Sequence, residues 1–408
     1  MIIQAHSAVI AGALVGDTWV EVSENFIRSV NKGVHPSPNQ IIDGTLIPGF
    51  VDIHCHGGGG KYFSALSDGE IQSVIQTHRG HGTTSLLASL VSEPIETLKE
   101  QIIRLKPLYE RGQILGIHLE GPYLSHARCG AHDPQLLVTP DLAEIKELLE
   151  LADGAIKMIT IAPELPGAVE AIKFLSAAGV TVAIGHSDGA FIDAAAGTNA
   201  GASVVTHFMN GMNKSLTEGS FASFVVADER LSIELIIDGH HIPFATAREI
   251  YTALGSRIIF ITDAMAAAGS TDGEYSIGKL PVVVKDGVAR LESNGALAGS
   301  TLTMDAVFIN AVDSLGLSVK EAVAATSTRA AKRLGFKDRG EIDIPCLPNG
   351  RSEETVVICT DGISPVLVRF GELKIILPDT TQRVFVGVQR EARSHVAAEI
   401  TIHDSRVF

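Results

Sequence analysis

The stretch Leu46-Ile47-Pro48-Gly49-Phe50-Val51-Asp52-Ile53-His54-Cys55-His56 runs apolar into a His-x-His pair, and four glycines follow it at residues 57–60. Residues i and i+2 of a strand face the same side, so His54 and His56 converge as two ligands of one ion must. The glycines let the chain turn sharply and leave room for a ligand. One such pair is equally compatible with two hydrogen-bonded histidines at a strand end. Five further apolar runs tip the balance: they end at Glu120, at His186, at His207, at Asp238 with His241, and at Asp263. Imidazoles and carboxylates are the ligand types of Zn²⁺ and other divalent transition metals. Glu120 can bridge two ions; His186 and His207 complete one site with it, and His54 and His56 build a neighbouring one. An ion so held polarises a carbonyl and lowers the pKa of bound water to about 7. A base must then take the water proton and return it to the leaving group. Asp263, alone at the end of its run, is the candidate, the alternative being an N-cap for the turn that follows.

Such residues need strands whose C-terminal ends meet. Apolar runs occur at 49–56, 83–90, 114–120, 156–163, 180–186, 203–207, 231–238 and 257–263, with helix-like segments at 67–81, 94–111, 140–151, 168–178 and 244–254. Alternating strands and helices imply a parallel sheet, and eight such units are the count of a TIM-like (β/α)8 barrel, whose active site lies at the C-terminal strand ends. Short strands are expected at 7–10, 18–22 and 41–47. After Asp263 the chain is glycine-rich and strand-like over 273–299. Two helices follow, 304–315 and 319–334, then strands at 355–359, 365–370, 373–377 and 383–388. The fold class is therefore α/β: a barrel domain over 47–339, and a small β-sandwich domain formed by 1–46 and 340–408.

The chain has 408 residues, 45% hydrophobic and 19% charged, which suits a well-packed globular protein. Its net charge of −15 argues against nucleic-acid binding, which wants a basic surface. Cys55, Cys129, Cys346 and Cys359 show no CxxC spacing, so a disulfide framework and a structural zinc site are not expected and a cytoplasmic location is. No apolar run is long enough to span a membrane.

The segments PGFVDIHCHGGGG, GIHLEGPY, GAH (130–132), APE (162–164), AIGHSD, THFMNGM, DGHH, ITDAM and LAGSTLTM follow one another over residues 46–335. Together they resemble the N-acetylglucosamine-6-phosphate deacetylases of the amidohydrolase superfamily. The resemblance implies hydrolysis of the acetamide of N-acetylglucosamine 6-phosphate to glucosamine 6-phosphate and acetate, on one or two divalent ions, Zn²⁺ foremost, in a homodimer. It implies that Glu120, His186 and His207 form the principal metal site and His54 and His56 a second. Asp263 matches the general acid/base and His132 the histidine that polarises the substrate carbonyl. Ala131, Asn210, Gly211 and His241 match contacts to the sugar phosphate, and Leu297, Ala298 and Gly299 a loop that closes over it. The family carries a phosphate-contacting arginine in a GREPG-like segment. Here residues 213–219 read NKSLTEG, leaving Lys214 as a point charge without arginine's bidentate fork; Arg230 and Arg248, from the same or a neighbouring subunit, are the other candidates. The family's PGxxADLV-like ending is also missing, and residues 344–408 carry no functional reading.

Some residues have plainer readings. Cys55 and Tyr62 stand where a phosphate-binding P-loop needs Gly and Ser or Thr. His118 shares the strand face of Glu120 and supports the site or the core. His78 and His81 read as helix-end caps, Cys129 as a bystander, and Lys157 begins a strand, so a carboxylated bridging lysine is not expected. Two other functions fit part of the pattern: a relative that deacylates another N-acyl amino sugar or amine, and a non-catalytic sugar-phosphate binder. The complete ligand set and Asp263 count against the binder, which needs no hydroxide.

Overall fold

The computed structural model describes residues 1–23, 26–65, 67–337 and 339–342, and the strands Val366–Arg369, Glu372–Ile376 and Val384–Gly387. The strand expected at 355–359 lies outside the described residues, as do Cys346 and Cys359. The chain divides into two compact units. One comprises Met1–Val51, Arg79–Ser85 and the described residues from Leu317 on; the other comprises Asp52–His78 and Leu86–Gly316.

In the first unit one seven-stranded sheet carries both ends of the chain. Its order is Val384–Gly387, Glu372–Ile376, Val366–Arg369, Gln40–Leu46, Ile2–Ile10, Ala13–Ser23 and Phe26–Lys32. Leu367 and Val368 pair antiparallel with Leu46 and Thr45, so the C-terminal strands extend the sheet that the N-terminal strands begin. Ile3, Ala5, Ala8, Val20, Ile27, Val30, Ile42, Leu46 and Ile342 form its core. The strand Phe26–Lys32 is absent from the sequence expectation. It carries Arg28, Ser29, Asn31 and Lys32 among few apolar residues, and its pairing with the preceding strand shifts register between Glu21 and Val22.

Each of the eight apolar runs contains a strand. In sheet order these are Phe50–Asp52, Thr83–Leu90, Gly116–Glu120, Ile156–Ile161, Thr181–Ile184, Val204–Val205, Ser232–Leu235 and Ile258–Phe260, with parallel pairing wherever a register is defined. The last strand returns to the first through a parallel bridge between Cys55 and Ala264. There the Asp263 N–H donates to the His54 carbonyl and the His56 N–H to the Ala264 carbonyl, each at 2.9 Å. This is the TIM-like barrel. The five expected helices are present, together with two that the sequence reading missed, Phe191–Ala200 and Phe221–Ala227. Residues 273–299 form a three-stranded antiparallel sheet, Gly273–Ile277, Leu280–Lys285 and Val288–Leu291, with its own apolar cluster. Among the described residues no helix is long and apolar enough to cross a membrane.

The glycines at 57–60 do not open a space for ligand. The Gly57, Gly59 and Gly60 N–H groups bond to the carbonyls of Ala264, Ala268 and Ala266, and a Cβ on Gly58 would lie 2.7 Å from His78 Nε2. A Cβ on Gly57 or Gly59 would likewise run into the Lys61 carbonyl or the Thr77 side chain, so these three are small for close packing within the chain. His78 is correspondingly no helix cap: its buried ring bonds the Gly57 carbonyl at 2.8 Å and lies 3.1 Å from Cys55 Sγ.

Barrel closure also depends on a buried acid. The Thr262 hydroxyl donates to Asp52 Oδ2 at 2.6 Å, and the N–H groups of His54 and Thr262 approach Oδ1 at 3.3 and 3.4 Å. Burial pushes the Asp52 carboxyl up to about 6. Truncation would leave these donors without an acceptor in a dry interior, at a cost of about 2–3 kcal/mol. Asp52→Ala is therefore expected to lose that much unfolding free energy in urea denaturation of the metal-free protein, and Asp52→Asn, neutral and still an acceptor, distinctly less.

Candidate active site

Glu120 closes the third barrel strand and is buried. Its two oxygens face different partners. Oε1 lies 3.2 Å from His186 Nε2 and 3.0 Å from His207 Nε2. Oε2 lies 3.1 Å from His56 Nε2, 3.5 Å from His54 Nε2 and 3.3 Å from His132 Nε2. The His54 and His56 Nε2 atoms are 3.1 Å apart, as the i, i+2 spacing predicts. Asp263 Oδ1 completes this side, 3.5 and 3.4 Å from the same two nitrogens. Its carboxylate thus turns inward and does not cap the turn after it.

Three of these residues sit just past their strands in left-handed backbone: His186 at φ 47°, His207 at 27° and Asp263 at 48°. For non-glycine residues this costs on the order of 1–3 kcal/mol each. The strand ladder and the turns beyond it hold them there, and in that conformation their side chains meet at the barrel mouth. Gly130 and Gly211, both at φ 57°, flank the His186 ring. A Cβ on either would come within about 3 Å of it, 2.9 Å from Cε1 and 3.0 Å from Nδ1 respectively.

A second set of buried groups sets the ring orientations. His54 Nδ1 lies 3.1 Å from Glu234 Oε2, and that oxygen also accepts from the His207 N–H at 3.3 Å. His186 Nδ1 donates to the Arg128 carbonyl at 2.7 Å. His118 spans Ser89 Oγ at 3.0 Å and Thr160 Oγ1 at 2.9 Å, a supporting residue beneath His54. Glu234 and Ser92 escaped the sequence reading. Glu234 left a trace, as the acid in the middle of the apolar run LSIELIID, whose other acid, Asp238, ends it; Ser92 left none.

Electrostatics follow from this crowding. Burial disfavours the charged forms of Glu120 and Asp263, yet the imidazoles outweigh it and hold both carboxyls below their usual range. Burial likewise works against imidazolium at His54, but Glu120, Asp263 and Glu234 together hold that ring well above the ordinary value. At His132 burial wins and takes the ring down to about 4.

A cavity of about 210 Å³ opens over this cluster. Its lining includes His56, Glu120, His132, His186, His207 and Asp263, and beyond them Ala131, Asn210, Gly211, Lys214, His241, Leu297 and Gly299. His241 is oriented by Asp238 Oδ2, 2.7 Å from its Nδ1. Ala298, expected with the closing loop, is fully buried among the residues of the small sheet and does not line the cavity. Arg230 and Arg248 are also off the lining: Arg230 pairs with Asp228, and Arg248 donates to the carbonyls of Ser314 and Leu315. Cys129 and Lys157 are likewise outside it.

The donor set suits a divalent transition metal. Ligand atoms of His54, His56, Glu120 and Asp263 all lie within 4.8 Å of one another. The Nε2 atoms of His186 and His207 stand 3.0 Å apart on the far side of Glu120, an arrangement of lone pairs that a cation between them relieves.

The model of the amidohydrolase family matches residues 45–344. An N-acetylgalactosamine-6-phosphate deacetylase of Escherichia coli O157:H7 is 35% identical over 297 residues, 71% of this chain and 78% of that protein. An N-acetylglucosamine-6-phosphate deacetylase of Lysinibacillus sphaericus is 31% identical over 88% of this chain and 93% of its own length. Among solved structures, a mutant N-acetyl-D-glucosamine-6-phosphate deacetylase from Mycobacterium smegmatis, in complex with N-acetyl-D-glucosamine-6-phosphate, superposes with a TM-score of 0.82 at 35% identity, covering 94% of this chain and 97% of that one.

Carboxylates that orient a metal-binding histidine are commonly worth 10–100-fold in metal affinity. Glu234→Gln is expected to weaken Zn²⁺ binding by about that factor, measured by competition with a chromophoric chelator, while the far-ultraviolet circular dichroism stays native. Unchanged affinity would mean that Glu234 only fills space.

Proposed function

The chain belongs to the amidohydrolase family, and we propose that it hydrolyses the acetamide of N-acetylglucosamine 6-phosphate to glucosamine 6-phosphate and acetate. One observation carries the reading: a metal-competent cluster, a carboxylate held below its usual range and a lysine share one cavity. Relatives named for this reaction or its 4-epimer counterpart span most of the chain. The family is metal-dependent, and Glu120, His186, His207, His54 and His56 are the residues that would hold the metal, Zn²⁺ by their ligand types, as one ion or as two sharing Glu120. When bound, such an ion supplies Lewis acidity toward the acyl oxygen and lowers the pKa of water.

The chain's own groups do the rest. Asp263, held ionised by its neighbours, accepts a proton from the water whose oxygen attacks the acetamide carbon. Its Oδ1 then returns that proton to the nitrogen as the C–N bond breaks, so that one carboxylate serves as base and then as acid. His132 donates a hydrogen bond to the oxygen on which negative charge develops. Asn210, Gly211, Ala131 and His241 line the sugar's side of the cavity, with Leu297 and Gly299 over it. Among the described residues Lys214 is the one Lys or Arg on the lining and has no carboxylate partner; we assign it the 6-phosphate. A homodimer and a cytoplasmic location complete the reading, resting on the resemblance and on the scattered thiols; light scattering tests the dimer.

The 35% identity to an N-acetylgalactosamine-6-phosphate deacetylase favours one second reading, the 4-epimer as substrate. Acetate release by the Zn²⁺-loaded protein from both 6-phosphates and from unphosphorylated N-acetylglucosamine separates them: the larger kcat/KM names the substrate, and no release from any of the three sinks the deacetylase reading. Asp263→Asn is expected to bind metal and lose about 10²–10⁴-fold in kcat. Lys214→Met should lower kcat/KM about tenfold or more on the phosphorylated sugar and leave the unphosphorylated one unchanged, since a phosphate contact worth about 1.4 kcal/mol is a factor of ten.

A further inference from the structure

We infer that the peptide N–H of Ser92 locks His132 in the Nε2–H tautomer, which makes His132 a hydrogen-bond donor in the cavity and excludes it as a metal ligand or a base. The inference rests on the proposed deacetylation only for what that donor is used for; the tautomer itself follows from geometry.

His132 Nε2 lies as near to Glu120 as His186 Nε2 does, 3.3 against 3.2 Å, and Glu120, His132 and His186 are close enough together to count as a metal-binding trio. Distance alone therefore does not say which imidazole ligates. The opposite edge of each ring does. His186 Nδ1 faces the Arg128 carbonyl at 2.7 Å. A carbonyl can only accept, so Nδ1 carries a proton and Nε2 is the nitrogen left to give a lone pair to a cation. His54 follows the same rule against the Glu234 carboxylate at 3.1 Å. His132 is the reverse case. The Ser92 N–H donates to its Nδ1 at 3.2 Å, and a peptide N–H can only donate. Nδ1 is therefore the unprotonated nitrogen, and the proton of the neutral ring sits on Nε2.

The Ser92 hydroxyl is also within reach of Nδ1, at 2.9 Å. It can donate there or to the Glu120 carbonyl at 3.4 Å, so it accommodates either tautomer and selects neither. Were Nδ1 protonated, the backbone N–H would face another N–H in a buried site and lose its acceptor. With Nε2–H, the ring instead directs a donor at the Glu120 carboxylate when the cavity is empty of substrate, and at a developing oxyanion when it is not. An Nε2 that carries a hydrogen has no in-plane lone pair to give a cation. Ser92 is thus a positioning residue that acts through its backbone.

The test reads protons and metal as well as turnover. In metal-free protein carrying ¹⁵N-histidine in a deuterated background, long-range ¹H–¹⁵N correlation at neutral pH should show a pyridine-like Nδ1 and a pyrrole-like Nε2 for His132, and a pyrrole-like Nδ1 for His186. Ser92→Ala, which keeps the peptide N–H, should leave the His132 pattern unchanged. His132→Gln, whose amide retains a donor near the Nε2 position, should keep Zn²⁺ affinity within about threefold of the parent, whereas His186→Gln should lose far more. In kcat, His132→Ala should fall about 10²–10³-fold, and His132→Gln should recover part of that loss. A pyrrole-like Nδ1 on His132, a tautomer change in Ser92→Ala, or a loss of metal affinity in His132→Gln matching that of His186→Gln overturns the inference. None of these three readouts depends on which sugar is hydrolysed, so failure of the substrate assignment remains distinguishable.

Discussion

One buried carboxylate organises the molecule. Five imidazole nitrogens stand within 3.5 Å of the two oxygens of Glu120, and the alternative to such a partner in a dry interior is a set of lone pairs aimed at one another. A buried carboxylate is itself expensive unless it is paired and hydrogen-bonded. Each side makes the other tolerable, and an ion between them relieves both. The barrel can be understood as the scaffold that brings six chain segments, far apart in sequence, to that one point.

The scaffold meets the demand by two devices. Closure aligns the first and last strands, so that His54, His56 and Asp263 share one edge; the Asp52–Thr262 hydrogen bond and the bridge at Cys55 and Ala264 fix that alignment. Left-handed turns at His186, His207 and Asp263 then swing the remaining side chains inward. A column of hydroxyls and His118 lies beneath: Ser89, His118, Thr160 and Thr206 are bonded in series at about 3 Å. In an interior otherwise filled by Ile, Leu and Val, these bonds hold the floor of the site in one arrangement, because breaking any of them strands a buried polar group.

Much of this was legible in the chain, for reasons that differ by residue. His54 and His56 announced themselves because strand periodicity is two and their spacing is two. Glu120, His186, His207 and Asp263 did so because barrel strands end in function and these runs ended in polar residues. Glu234 and Ser92 act across the barrel, on His54 and His132, and no local pattern encodes a neighbour 180 or 40 residues away. His78 was read as a cap from its place in the last helical turn, but tertiary packing against Gly57 claimed its ring. The helix Phe191–Ala200 hid because Ala, Gly197 and an exposed Ile192 blur its amphipathic pattern. Phe221–Ala227 hid because seven residues, nearly all apolar, suit a buried strand equally well. The role of the glycines at 57–60 was misjudged for a related reason: close approach was foreseen, but between chain and ligand instead of chain and chain.

The protein's net charge bears on its specificity in a way that pairwise contacts do not. A chain of net charge −15 repels a sugar phosphate at long range, but at physiological ionic strength that repulsion is screened beyond about 8 Å. Recognition of a phosphate must then be local, decided by the few groups on the cavity wall. Along that wall the charges are segregated: Glu120 and Asp263 lie with the imidazoles at the barrel mouth, and Lys214 stands on the segment beyond Met212. On the proposed function, the carbonyl end of the substrate would be drawn to the cluster by a cation held there, and the phosphate end to Lys214. A molecule with an acyl group at one end and an anion at the other is oriented by both at once. An unphosphorylated analogue satisfies only the first, and so loses orientation, which counts in turnover, together with affinity.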